Sequence, residues 1–139
     1  MEKNLDFENT VLNLFDEFVN KNRFLVDRNN KSNKIQFVNE KCIIRFINDY
    51  GNVECHFVNP AEKADRENKQ KKGLPVGYPV YPVYAVWIFF YPNDKINLTY
   101  DPWGSIEIQV LFFKKILIEK LSNVVEGDFS WVNAFNNQK

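Results

Sequence analysis

The side chains best suited to chemistry are few. The chain of 139 residues holds one histidine, His56, and two cysteines, Cys42 and Cys55. Nucleophilic catalysis by such a set needs thiol and imidazole on one face, with a third group orienting the ring. Cys55 directly precedes His56, and successive strand residues point to opposite faces, so the pleat separates them. Cys42 falls on the Cys55 face. Glu54 and Arg45 share the His56 face instead, which reads as a small polar cluster on a strand. Metal chemistry has no better basis. One histidine and two cysteines make neither a zinc finger nor a His-rich site. The carboxylates form no H-E-x-x-H motif and no EF-hand loop. Asp94 and Asp101 flank the INLTY segment without a ligand spacing, and Asp101-Pro102-Trp103-Gly104 reads as a turn or helix start. Glycines 51, 73, 77, 104 and 127 are isolated, so no phosphate cradle is present. Lys69-Gln70-Lys71-Lys72 is basic, but Glu62, Asp65 and Glu67 stand beside it. The chain therefore reads as a non-enzyme with no cofactor and no metal.

The most distinctive motif runs from Leu74 to Pro92. Its first half spaces Pro75, Pro79 and Pro82 among Tyr78, Tyr81 and Tyr84. Pro79-Val80-Tyr81-Pro82 has the spacing of a polyproline ligand. The same residues also suit a rigid segment that leads the chain onto the core and packs its tyrosines there. A third use is a binding surface, because tyrosines of low conformational entropy make good contact residues. The second half, Tyr84 to Tyr91, is apolar throughout. Its length and Pro82 before it favour a short buried helix over 84–91, although its composition also suits a strand.

These residues must be held by surrounding elements. Phe7, Val11, Leu14, Phe15 and Phe18 repeat at helical spacing, which predicts a helix over 6–21 with Asp6 as its N-cap. A period of two follows. Phe24-Leu25-Val26, Ile35 with Phe37, Cys42 to Ile47, and Val53 with Cys55 and Phe57 read as an antiparallel meander of three or four strands. With Tyr50-Gly51 as a two-residue loop, paired positions sum to 101. Phe46 then faces Cys55, Ile44 faces Phe57 and Arg45 faces His56. Cys42, Ile44, Phe46, Cys55 and Phe57 form the core face. Ile43, Arg45, Ile47, Glu54, His56 and Val58 form the second face, half apolar and half charged. Four residues of strand, about 13 Å, separate Cys42 from the position opposite Cys55, so the thiols are expected to be free. Residues 61–73 hold no periodic apolar residue and read as a charged, flexible loop. A long helix begins near Ser105, although Ile106, Ile108 and Val110 also alternate as in a strand; it is strongest from Gln109 to Glu126, with Ile106, Val110, Phe113, Leu117, Leu121, Val124 and Val125 on its buried face. Gly127 suits a C-terminal cap, and Phe129, Trp131 and Phe135 are expected to pack back on the core.

The expected fold is one α+β domain over 1–139. An antiparallel meander carries an N-terminal helix and a long C-terminal helix on one face. The helix, the FLVD, FVNE, IIRFIND and VECHFV segments, the YGN turn and the closing GDFSW resemble small bacterial α+β proteins that include the immunity proteins of toxin systems. That resemblance implies a cytoplasmic binding protein without catalysis.

Composition narrows the classes further. Lys plus Arg and Asp plus Glu number 18 each, so the net charge is zero, which argues against nucleic-acid and membrane-surface binding. No apolar stretch is long enough to span a membrane. The N-terminus is polar, and two unpaired cysteines suit a reducing cytoplasm. Aromatic residues make up 16% of the chain and asparagine occurs 19 times, scattered, a mix that AT-rich coding produces. Two functions remain. One is a non-catalytic protein-interaction module, binding a protein partner or itself through Ile43, Arg45, Ile47, Glu54, His56, Val58, Tyr78, Tyr81 and Tyr84. The other is a small-ligand or carbohydrate-binding domain in which a tyrosine, Trp87 or Trp103 stacks on a ring.

Overall fold

The structure is a computed structural model that describes residues 2–28, 33–73, 80–94 and 104–138. Helix α1 (Glu2–Lys21) leads into strands β1 (Leu25–Asp27), β2 (Lys34–Val38), β3 (Ile43–Asp49) and β4 (Asn52–Val58). Helix α2 (Pro60–Lys71), strand β5 (Tyr81–Pro82) and helices α3 (Val83–Phe90), α4 (Ile106–Glu119), α5 (Ser122–Val125) and α6 (Val132–Asn137) complete the chain. The fold is α+β: one antiparallel five-stranded sheet in the order β1-β2-β3-β4-β5, with helices against it.

The β3–β4 register is the expected one, with Phe46 opposite Cys55, Ile44 opposite Phe57 and Arg45 opposite His56. Its loop is Tyr50-Gly51, with φ of 52° and 92°. Positive φ at both central residues is the turn geometry whose twist matches that of the flanking strands. Ile35, Phe37, Ile44, Phe46, Val53, Cys55 and Phe57 fill the core face. Onto it pack α1 against β2, α4 against β4, α3 against β4 and β5, and α1 against α4. The Phe15 ring lies 5.1 Å from Phe46 and 5.5 Å from Phe37, joining helix to sheet at the centre.

Four sequence expectations are corrected. Helix α1 begins at Glu2, so Asp6 lies within it and is no cap. The meander gains β5, a two-residue strand that places Tyr81 opposite Phe57.

The charged loop expected at 61–73 is mostly helix α2. Every local signal for it is present. The Asn59 side chain accepts from Ala61 N–H, Pro60 opens the helix, Glu62 lies in the first turn, and Lys69 and Lys71 lie in the last. Asp65 and Lys69 pair one turn apart at 3.2 Å. The helix buries no residue, so apolar periodicity could not reveal it.

The last helix does not run unbroken to Glu126. It closes at Glu119, where Lys120 N–H and Leu121 N–H both reach Ile116 O, and α5 restarts at Ser122. The break still leaves Leu121, Val124 and Val125 buried. Gly127 follows with φ of 102°, as expected of a C-terminal cap, and a Cβ there would meet Lys41 Cβ at 3.1 Å.

Candidate functional site

The second sheet face has a defined structure. Strand pairing aligns Asp27, Gln36, Arg45, His56 and Pro82 in one row across all five strands. Arg45 Nε donates to Gln36 Oε1 at 2.9 Å, and Gln36 Nε2 donates to Asp27 Oδ2 at 3.1 Å. This chain hydrogen-bonds a largely buried guanidinium within the sheet and links it through the Gln36 amide to the Asp27 carboxylate. His56 Nε2 lies 3.4 Å from Glu54 Oε1. Burial pushes the imidazole pKa below its usual value. The Glu54 carboxylate opposes that shift and the Arg45 charge adds to it. His56 Nδ1 has no hydrogen-bond partner among the described residues.

The aliphatic part of this face is less open than a contact patch requires. Ile43 and Val58 are buried, apart from the main core, and only Ile47 of the three is partly exposed. Cys42 and Cys55 are buried free thiols on the core face, away from His56, so no thiol–imidazole pair forms. Burial pushes the Cys42 thiol up to about 12. It raises that of Cys55 as well, with a further contribution from Cys42.

The three tyrosines part company. Tyr81 is buried, and its hydroxyl reaches both carboxylate oxygens of Glu62 at 2.9 and 3.0 Å, tying α2 to the sheet. Its ring meets Trp131 edge-on at 5.3 Å, so the C-terminal tail packs back as expected. Tyr84 is exposed and packs beside Trp87 and Phe112, at 5.5 and 6.3 Å. Tyr78 lies outside the described residues, as do Trp103 and Asp101. Trp87 is sealed in the core, with its indole N–H donating to Asp94 Oδ2 at 3.2 Å. It is therefore no stacking platform for a ligand. Asp94 also pairs with Lys120 at 3.1 Å, and both contacts lower its pKa.

Sequence reading missed the outer face of α4. Gln109, Val110, Phe113, Ile116 and Leu117 are buried. Ile108, Leu111 and Ile118 nevertheless stand 53%, 42% and 47% exposed on the opposite side. A surface helix normally keeps polar residues there. The signal was available: the aliphatics outside the buried stripe share one face at 100° per residue. Tyr84 and Phe112 flank this face on the α3 side. On the α1 side lies a cleft of about 580 Å³. Phe18, Leu117, Ile118 and Val125 supply its apolar wall, and Glu17, Lys21, Lys114 and Glu126 supply its charge.

Among the described residues no group of His, Cys, Asp or Glu could hold a metal ion, and no helix is long and apolar enough to cross a membrane. No protein-family profile matches the chain, nor does any curated protein or solved structure.

Proposed function

We propose that the protein is a non-catalytic protein-interaction module and that it binds through the outer face of α4. The observation that carries this reading is the exposure of Ile108, Leu111 and Ile118 on one face of a helix whose other face is already buried. Large apolar side chains gathered on an otherwise polar surface mark contact sites. The aromatic pair Tyr84 and Phe112 extends the surface. The sheet face is the weaker candidate, since its aliphatic residues are mostly covered. Within this reading, a reducing, cytoplasmic location is consistent with the buried free thiols, while an immunity-like role, blocking a toxin by covering it, rests on the resemblance of the sequence segments alone.

The test is capture with wild-type protein, Leu111→Asp and Ile118→Asp. Both side chains are half-exposed, so the variants should melt near the wild-type temperature while losing the captured partner. Retention of the partner by both would refute the reading.

A second reading, small-ligand binding, has one observation in its favour: the α1–α4 cleft lies within the usual size range for ligand pockets. Phe18 is the aromatic residue in its lining, so it favours an aliphatic ligand over a stacked sugar.

A further inference from the structure

The turn that closes the β3–β4 hairpin holds a residue that folding does not call for. A two-residue loop with positive φ at both central positions selects asparagine, aspartate or glycine, whose small side chains tolerate the left-handed region. Position 50 instead carries a tyrosine at φ 52°. A bulky side chain there is an outlier. Tyr50 is also completely exposed, and among the described residues its hydroxyl has no hydrogen bond and its ring no aromatic partner. The backbone beside it is fixed on both sides. Asn48 Oδ1 accepts from Gly51 N–H at 2.8 Å, and Gln109 Nε2 donates to Gly51 O at 2.7 Å. An aromatic ring without contacts is thus displayed on a rigid, strained tip. Backbone strain retained where it serves no packing points to function.

We propose that Tyr50 is the anchor of the interaction, inserting into a concave apolar pocket of a protein partner whose rim is basic. The proposal rests on the interaction reading above and adds the residue that enters the partner. Gln109 also donates to Gly104 O just before α4, so the tip is held rigidly against that helix.

The chemistry of the tip selects this partner. A ring exposed on every side offers a small ligand no enclosing walls. Nucleic acids and membrane surfaces are anionic, whereas Tyr50 is flanked by the exposed Asp49 carboxylate and by uncharged Gly51 and Asn52. A protein pocket satisfies both features. It buries a ring that carries a large apolar area and a polar end, and a positive rim complements Asp49. Because the turn is already fixed, little further ordering opposes binding. Tyrosine is accordingly among the residues enriched at the energetic centres of interfaces.

The test places p-benzoylphenylalanine at position 50 of the full chain, irradiates it in an extract of cells that produce the chain naturally, and identifies the adduct by mass spectrometry. The adduct protein is then purified and titrated with wild type and variants. Tyr50→Asn should weaken binding about 100-fold. It should also raise Tm by roughly 2–4 °C, because asparagine relieves the strain. Tyr50→Phe should keep the wild-type Tm and weaken binding about tenfold, the share of the hydroxyl. Asp49→Lys should slow association about tenfold and leave dissociation unchanged. Binding by Tyr50→Asn within about threefold of wild type overturns the anchor, as does the absence of any adduct from position 50. If Leu111→Asp loses its partner in that case, the α4 reading stands. Loss of binding by Tyr50→Asn with full retention by Leu111→Asp upholds the anchor and overturns the α4 surface. A lower Tm for Tyr50→Asn would show that the ring serves the fold and would overturn the argument from strain.

Discussion

Gln109 carries the sharpest prediction about how the fold is held. It is fully buried on α4, yet it is polar. Its Oε1 accepts from Val53 N–H at 2.7 Å, and its Nε2 donates to Gly51 O at 2.7 Å and Gly104 O at 3.0 Å. The need for it follows from the hairpin. Asp49 and Asn52 close the two-residue loop, so the next pair, Asn48 and Val53, directs its backbone groups away from each other. Asn48 N–H finds Asn33 O on the β2 side at 2.8 Å. On the other side β5 pairs with His56 and Phe57, so among the described residues no strand reaches the Val53 N–H and the Gln109 side chain accepts from it instead.

Gln109→Met keeps the length and helix propensity of the side chain but removes all three bonds. The buried Val53 N–H then bears its full desolvation cost, while the carbonyls at the more open Gly51 and Gly104 regain water. The sum is about 2–4 kcal/mol. For a domain of this size that corresponds to a fall in Tm of roughly 8–15 °C. Thermal unfolding followed by circular dichroism measures it. A Tm within about 2 °C of wild type would refute the argument that a buried polar clamp joins the hairpin to α4.

Two other outcomes follow from buried titratable groups. Both cysteines should resist alkylation at pH 8 in the folded protein and react fully in denaturant, because burial holds Cys42 near 12 and raises Cys55 too; rapid native labelling of either would contradict the packing of the core face. His56 has a folded pKa below its usual value. The unfolded chain therefore binds the proton more readily, so His56 contributes stability above about pH 6.5 that is lost as pH falls through the folded value. Urea unfolding should show a smaller loss between pH 7.5 and 5.5 in His56→Gln than in wild type, and equal losses would show that another group sets the acid sensitivity.

The hairpin register was legible because turn chemistry and side-chain alternation agree there: Tyr50-Gly51 sits where two alternating runs meet. Helical spacing revealed α1, segment length and Pro82 favoured the short helix that forms at Val83–Phe90, and Gly127 marked the end of the last apolar stripe. Periodicity misled wherever a helix buries nothing or is apolar on every side. Helix α2 is held by an asparagine cap and by Tyr81 gripping Glu62, neither of which has a period. On α4 the buried stripe is visible in the spacing, whereas Ile108, Leu111 and Ile118 alternate with Glu107, Lys114, Lys115 and Glu119, which give that face the composition of a polar one. The break at Lys120 leaves the apolar spacing intact and so has no signature in it. The Gln109 clamp joins residues more than fifty positions apart, and the burial of Ile43 and Val58 depends on the folded chain around them; both are tertiary facts that local spacing does not contain.

The claim that α4 is the surface with which this protein binds is tested most directly by a photo-crosslinking side chain placed in turn at Leu111, on the outer face of α4, and at Glu54, on the second sheet face. The account predicts a crosslinked adduct from position 111 and none from position 54. Crosslinking from position 54 alone would contradict it and return the contact site to the sheet.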